Sequence, residues 1–217
     1  NDTSEPETQT LKIARLTFVG DVMLARNVEQ AIADNGIDYP FANLGNLFAE
    51  SDVVVGNFEG TVREKQNIES VDKMAFDTTP ANVAIVADAG FTDMSLANNH
   101  ADDFGDATTA LTRETLTANG ITPFGDPFAS ENFVDRKVVN GIPISIIGFH
   151  AFAEETSPII EAIKKEKAEE RFVIVFAHWG VEYRATPYVS QTTAAHAFVD
   201  AGADLVIGAH PHVIETV

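Results

Sequence analysis

The chain has 217 residues, and its 33 acidic side chains against 14 basic ones give it a formal net charge of −19. Such a surface repels nucleic acid and anionic membranes, and it repels a polyanionic substrate unless a bound cation or a local basic group intervenes. The chain contains no cysteine, which excludes disulfides and thiolate metal sites.

The first ten residues, NDTSEPETQT, contain no large hydrophobic side chain and predict a disordered linker over residues 1–10. The remaining residues, 11–217, show no internal repeat and no second linker, so we expect a single domain. The sequence starts at Asn1 without an initiator methionine. Either a trimmed chain or a removed N-terminal signal or anchor explains this start, and the second explanation predicts an extracellular or cell-surface protein.

Short apolar runs rich in β-branched residues alternate with amphipathic or alanine-rich segments. The runs predict buried strands at Leu16–Gly20, Asp52–Phe58, Phe91–Ala97, Pro143–Phe149, Phe172–His178 and Asp204–His210. Helix signals cover Thr79–Gly90, Ser157–Glu170 and Ser190–Gly202. This alternation predicts an α/β fold with at least partly parallel sheet. The Asn140-Gly141 pair between apolar runs predicts a hairpin, and therefore a mixed sheet.

Five of the strand-like runs end in side chains that can bind a metal ion or move a proton. These side chains are Asp21; Asn57 and Glu59; Asn98, Asn99 and His100; His178; and His210 and His212. Ligands of open α/β sheets sit beyond the carboxyl ends of strands, so we expect these groups to converge. Carboxylates, imidazoles and an amide oxygen suit Mn, Fe or Zn. The alternative for the Asn98–His100 stretch is a turn that favours left-handed backbone angles.

The order of these motifs resembles the capsule-synthesis CapA/PgsA family. The resemblance rests on GDVMLAR, GNFEG, NNHADDFG, HWGVEY and GAHPH, and it runs from about Thr17 to the end of the chain. It implies the calcineurin-like metallophosphatase fold, a sandwich of two mixed β-sheets flanked by helices. It also implies an association with poly-γ-glutamate capsules.

The resemblance also implies roles for individual residues. One metal ion would be held by Asp21, Glu59 and His212, and a second by Glu59, Asn99, His178 and His210, with Glu59 as the bridge. His100 would be the general acid, while Asn98 and Asp103 occupy motif positions beside it and are candidate substrate-binding residues. The expected cofactor is one or two divalent ions per chain.

Several positions depart from the metallophosphatase pattern or stay ambiguous. Met23 stands where that pattern has a histidine, and a thioether is a poor ligand for a hard cation. Arg26 is either a substrate-anion ligand or a surface salt-bridge partner. The other candidate substrate-binding residues are Trp179, Glu182 and Tyr183, for which core packing is the alternative.

Two functions are compatible with these residues. The first is a metal-dependent hydrolase acting on a phosphoester or on a γ-glutamyl amide. The second is a non-catalytic component that binds, exports or anchors an anionic polymer together with membrane subunits of a capsule synthase. The family domain continues past GAHPH, so either this protein is shorter than its relatives or further C-terminal strands follow Val217.

Overall fold

The computed structural model describes residues 11–64, 74–128, 133–153 and 155–216. Its elements in chain order are β1 (Leu16–Val22), α1 (Arg26–Asn35), a 3-10 turn (Tyr39–Phe41), β2 (Val53–Phe58), β3 (Thr61–Val62), β4 (Asp77–Thr78), α2 (Pro80–Asp88), β5 (Asp93–Ser95), α3 (Asp106–Ala118), β6 (Thr122–Phe124), β7 (Val134–Val139), β8 (Ile142–His150), α4 (Thr156–Ala168), β9 (Phe172–His178), α5 (Val189–Ala201) and β10 (Leu205–Ala209). The predicted linker at residues 1–10 lies outside the described residues.

The strands form two four-stranded sheets and one short pair, β3 with β4. The first sheet has the order β1-β2-β5-β6, and all of its pairings are parallel. The second has the order β10-β9-β8-β7, in which β7 alone runs antiparallel to its neighbour. The predicted α/β class with two sheets and flanking helices is confirmed, and the second sheet is mixed as expected. The first sheet, which was also expected to be mixed, has only parallel pairings among the described strands.

The sandwich is built from four layers. The alternating side chains of β2 show why: Val53 and Val55 face the second sheet, while Val54 faces the helices of the first. Between the sheets, Phe124 packs in the same cluster as Phe176. The outer faces are covered by α1–α3 on the first sheet and by α4 and α5 on the second. Strands buried on both faces explain why the apolar runs are nearly continuous.

The predicted hairpin joins β7 to β8. Asn140 and Gly141 have φ angles of 50° and 76°, the left-handed geometry that a two-residue primed turn requires at both positions. The register pairs Val139 with Ile142 across this turn. The hairpin prediction is therefore confirmed.

The parallel strands bring polar side chains from both sheets to one edge of the sandwich. Asp21 and Asn57 are register partners near the ends of β1 and β2. His178 ends β9, and His210 follows the last residue of β10, which is the neighbour of β9 in the second sheet. In the part of the chain that the structure describes, no helix combines the length and the apolar character needed to cross a bilayer.

A buried ionic contact ties α4 to the second sheet. Glu166 is fully buried, and Arg136 donates to its carboxylate through Nε at 2.8 Å and through Nη2 at 2.5 Å. The hydroxyl of Ser145 donates to the same carboxylate at 2.8 Å. Burial by itself raises the pKa of Glu166, but these hydrogen bonds outweigh it and hold the pKa below its ordinary value.

We expect Glu166→Ala to lower the free energy of unfolding by roughly 1–3 kcal/mol at neutral pH, because the buried Ser145 hydroxyl and the more exposed Arg136 guanidinium lose their acceptor. A carboxylate with a depressed pKa stabilises the fold above its unfolded pKa. The difference from wild type should therefore shrink as the pH falls through the ordinary value of 4.5. Chemical denaturation at several pH values measures this, with exposed Glu161→Ala on the same helix as control. Equal losses in the two variants, or a loss that grows in acid, contradict the prediction.

Candidate metal centre

A cavity of about 370 Å³ opens at the edge where the polar strand ends meet. One wall is apolar and consists of Met23, Val28, Met74 and Phe76; the remaining lining residues are Asp21, Arg26, Glu59, Glu182, Tyr183 and His212. The Met23 sulfur accepts a hydrogen bond from the Ala25 N–H at 3.1 Å, so it is engaged with the backbone. The lining of the cavity is thus partly apolar and partly charged.

Glu59, His210 and His212 bring three metal-binding atoms together within 4.8 Å of one another. Glu59 and His210 are buried, while His212 is partly exposed. Among the described residues, His210 Nδ1 is buried without a hydrogen-bond partner. One carboxylate and two imidazoles suit a first-row divalent ion, so this group fits the predicted metal.

The Glu59 carboxyl sits in an unfavourable place for a negative charge. Burial raises its pKa to about 8, and the neighbouring charges of Asp21, Glu182 and Asp103 add to the effect. Without a cation the group therefore holds its proton at neutral pH. A bound divalent ion would reverse this, because it favours the ionised carboxylate.

Asp21 is held by donors on both of its oxygens. Asn57 Nδ2 donates to Oδ1 at 2.8 Å, and the His210 backbone N–H donates to Oδ2 at 3.0 Å. His212 Nδ1 lies 3.1 Å from Oδ2. Burial alone raises the pKa of Asp21, but the contacts with His178, Asn57 and His210 together hold it below its ordinary value. Asp21 is therefore ionised at neutral pH.

A chain of amides fixes the neighbouring groups. The backbone N–H of His100 donates to Asn98 Oδ1 at 3.0 Å, so Asn98 Nδ2 points the other way. This nitrogen donates to Asn57 Oδ1 at 3.0 Å and to the Phe58 carbonyl at 2.9 Å. Asn57 must then turn its Nδ2 toward Asp21 and toward His178 Nδ1, which is 3.1 Å away. The His100 N–H and the Phe58 carbonyl settle the orientation of the Asn98 amide, and Asn98 in turn settles that of Asn57.

This chain also fixes the protonation of His178. Because Asn57 Nδ2 donates to His178 Nδ1, the proton of the neutral ring sits on Nε2, which donates to Asn99 Oδ1 at 2.7 Å. Burial lowers the pKa of His178 to about 4, although Asp21 opposes the shift. The ring is therefore neutral at physiological pH.

The His100 ring is held by a hydrogen-bonding contact with Asp103 and by an aromatic stack with Phe76. Its Nδ1 lies 2.8 Å from Asp103 Oδ2, and the same oxygen accepts the Phe76 N–H at 2.6 Å. The Phe76 ring stacks on the imidazole with centroids 3.9 Å apart and planes inclined by 24°. The Arg26 guanidinium lies 5.6 Å from the centroid of the Phe76 ring. The Phe76 ring therefore lies between the Arg26 guanidinium, which lines the cavity, and the imidazole of His100, the predicted proton donor.

Backbone strain is concentrated around the cavity. Among the residues that the structure describes, six other than glycine have positive φ angles, and four of them belong to this site: Arg26 at 56°, Tyr183 at 59°, His210 at 93° and His212 at 54°. Such conformations cost of order 1–3 kcal/mol each and persist only where the surroundings enforce them. The clustering marks this edge of the sandwich as functional.

The structure brings together most of the residues predicted from the sequence. Glu59, His210 and His212 bring possible ligand atoms together, Asp21 lies against His212, and His178 lies against Asn99. Arg26, Glu182 and Tyr183 line the adjoining cavity. Asn98 and Asp103 lie behind the site, where they hold other site residues. Trp179 packs in the core of the second sheet, with its ring perpendicular to that of Phe149. Its contacts are therefore those of the core-packing alternative.

Sequence reasoning missed three features of the site. Asn57 was a candidate ligand, but its amide acts as a hydrogen-bond donor inside the network. Phe76 and Phe152 belong to none of the motifs, yet Phe76 stacks on His100 and the Phe152 ring centroid lies 4.8 Å from that of His210. No local pattern predicts these aromatic contacts, because each joins residues from separate segments.

Comparisons with known proteins find relatives among bacterial capsule synthesis proteins. The family model described as "Bacterial capsule synthesis protein PGA_cap" matches residues 15–217. The chain is 34% identical over 228 residues to "Capsule biosynthesis protein CapA" of Bacillus anthracis, covering 93% of this chain and 55% of that protein. It is 31% identical over 235 residues to "PGA biosynthesis protein CapA" of Bacillus subtilis (strain 168), covering 100% of this chain and 62% of that protein. The chain thus spans little more than half the length of these relatives.

We expect Asn98→Ala to lower the free energy of unfolding by roughly 2–4 kcal/mol, because it leaves buried polar groups of Asn57, Phe58 and His100 without partners. Denaturant titration followed by circular dichroism measures the loss. Asn43→Ala, at an exposed position, is the matched control and should stay within about 0.5 kcal/mol of wild type. A loss for Asn98→Ala as small as that of the control would show that the amide chain does not support the site.

Proposed function

This chain belongs to the PGA_cap family of bacterial capsule synthesis proteins, and on that premise we propose that it is a metal-dependent hydrolase of poly-γ-glutamate capsule biosynthesis. The observation that carries the proposal is the convergence of Glu59, His210 and His212 at a cavity that Arg26 also lines. The cofactor is a divalent ion, with Mn, Fe and Zn as the candidates that suit these donors. The bond cleaved is a γ-glutamyl amide.

The cavity suits a γ-linked glutamate chain. Such a chain presents methylene groups along its backbone and a free carboxylate on every unit. The apolar wall of Met23, Met74 and Phe76 matches the methylenes, and the Arg26 guanidinium matches a carboxylate. Arg26 contacts the Phe76 ring and forms no ion pair with any described residue, so its charge is available to a ligand.

Each group has a distinct chemical task in this proposal. A bound divalent ion supplies an activated water and offsets the repulsion between an anionic polymer and this acidic protein. Arg26 orients the polymer through its carboxylate. His100 is engaged at Nδ1 by Asp103, so the proton for the leaving amine comes from Nε2.

One observation favours a second candidate, a non-catalytic component that binds the polymer for export or anchoring. His100 is only 5% exposed, and the Phe76 ring covers it, so the proton donor does not line the cavity. In this alternative the same metal ion and Arg26 grip the polymer without cleaving it. Both candidates place the protein at the cell surface beside the membrane subunits of a capsule synthase.

The size distribution of poly-γ-glutamate incubated with protein and Mn²⁺ tests the hydrolase directly. We expect metal-dependent shortening, abolished by chelator, and a loss of roughly 10²–10⁴-fold in rate for His100→Gln, with polymer affinity preserved. A chromogenic phosphodiester, assayed in parallel, tests the phosphoester alternative. Polymer that binds without shortening supports the binding component and rejects hydrolysis.

Arg26→Ala should weaken the binding of a short γ-glutamate oligomer by roughly 10–100-fold, because a charge-assisted hydrogen bond is lost. Isothermal titration calorimetry measures the dissociation constant whether or not the protein cleaves the polymer. Arg15→Ala removes the same charge at an exposed position before the start of β1, at the opposite end of that strand from Asp21, and should stay within about twofold of wild type. Equal losses in both variants would show that only net charge matters.

A further inference from the structure

The candidate metal centre has two halves, one around His178 and one around His210. They differ in whether their polar atoms have hydrogen-bond partners. His178 and His210 lie side by side, with ring centroids 4.6 Å apart. Both nitrogens of His178 have hydrogen-bond partners, Asn57 on one side and Asn99 on the other. In contrast, His210 Nδ1 is buried without a partner among the described residues.

The satisfied half contains Asp21, His178 and Asn99, three of the ligands expected for a pair of ions. The Asn57 amide nitrogen sits between Asp21 Oδ1, at 2.8 Å, and His178 Nδ1, at 3.1 Å. The amide donates a hydrogen bond to each of these two atoms. A cation at the same position would attract both of them. Asn57 is buried, and Asn98 holds its other end, so the amide cannot turn without breaking the chain to the His100 backbone.

The unsatisfied half contains Glu59, His210 and His212, whose donor atoms lie within 4.8 Å of one another. Three protein ligands with open positions are the arrangement of a catalytic metal site. Asp21 Oδ2 lies 3.1 Å from His212 Nδ1, and it accepts the His210 N–H. The carboxylate therefore lies against the ring nitrogen of His212, as acidic partners of metal-binding histidines commonly do, and it holds the backbone of His210 in place.

We propose that the centre holds a single metal ion, bound by Glu59, His210 and His212, and that the Asn57 amide takes the place of a second ion between Asp21 and His178. The inference rests on the metal-dependent function proposed for the same cavity. It makes Asp21, His178 and Asn99 positioning residues of the centre. A centre with a single metal ion can bind one carboxylate or carbonyl group of the substrate at a time.

Metal titration of the full chain with Mn²⁺ and with Zn²⁺, followed by calorimetry and by native mass spectrometry, tests the stoichiometry. We expect one ion per wild-type chain. His210→Ala and His178→Ala form a matched pair, since each removes one buried imidazole of the cluster. His178→Ala should weaken binding by roughly 10–100-fold, the range typical of losing a group that only orients a ligand, and His210→Ala should weaken it by clearly more than that.

Asn57→Asp provides a second test that does not depend on removing a histidine. It replaces the donating amide with a carboxylate of the same shape, next to Asp21 and His178. We expect the variant to bind a second ion, giving two per chain, and circular dichroism checks that it is folded. Asn57→Ala removes the same amide without adding a ligand, so it should bind a second ion more weakly than Asn57→Asp does; a second ion bound equally tightly by both variants would show that the carboxylate is not what admits it.

Two ions of comparable affinity in the wild type, or equal losses for the two histidine variants, overturn the one-metal centre while leaving the proposed hydrolase in place. A wild-type protein that binds neither metal overturns the inference as well. That result overturns the metal-dependent hydrolase together with the one-metal centre, and calorimetry of polymer binding in chelator then tests the polymer-binding component alone.

Discussion

The amide of Asn57 joins the two sheets of the sandwich at the edge where their strands end. It lies on β2 and donates to Asp21 of β1 and to His178 of β9, and the buried Asn98 supports it from behind. An unpaired buried amide costs roughly 1–3 kcal/mol, so each member of this chain constrains the next. These hydrogen bonds fix the positions of the Asp21 carboxylate and the His178 ring. By contrast, His210 Nδ1 has no hydrogen-bond partner among the described residues.

Much of the fold could be predicted because its strands are buried on both faces. β2 and β9 are almost uninterrupted apolar runs, and the Asn140-Gly141 turn carries its own local signal. α1 and α3 were not predicted, since only Ile32 of the first, and Thr112 and Leu116 of the second, are buried. Both helices are at least as amphipathic as α4, but neither has a proline in its first turn to mark its start, as Pro158 does in α4. β3 and β4 have two residues each, too few for any pattern.

The site could be predicted as a set of strand-end residues but not as a network. Position after an apolar run is enough to place Asp21, Glu59, His178 and His210 at one edge. The direction of a hydrogen bond is not encoded locally, so the sequence could not show that Asn57 donates where a ligand would accept. Trp179 illustrates the converse: it follows the end of β9 next to His178, yet its ring packs toward the helices of the second sheet. Neighbours in a strand point to opposite faces, and the sequence does not say which face is the cavity.

The location of the metal ion tests the account most directly. Crystals grown with Mn²⁺ and measured at the manganese absorption edge would show each bound ion as an anomalous difference peak. The account predicts one peak per chain, coordinated by Glu59, His210 and His212, with the Asn57 amide still between Asp21 and His178. A peak between Asp21 and His178, with the Asn57 amide turned away, would contradict it.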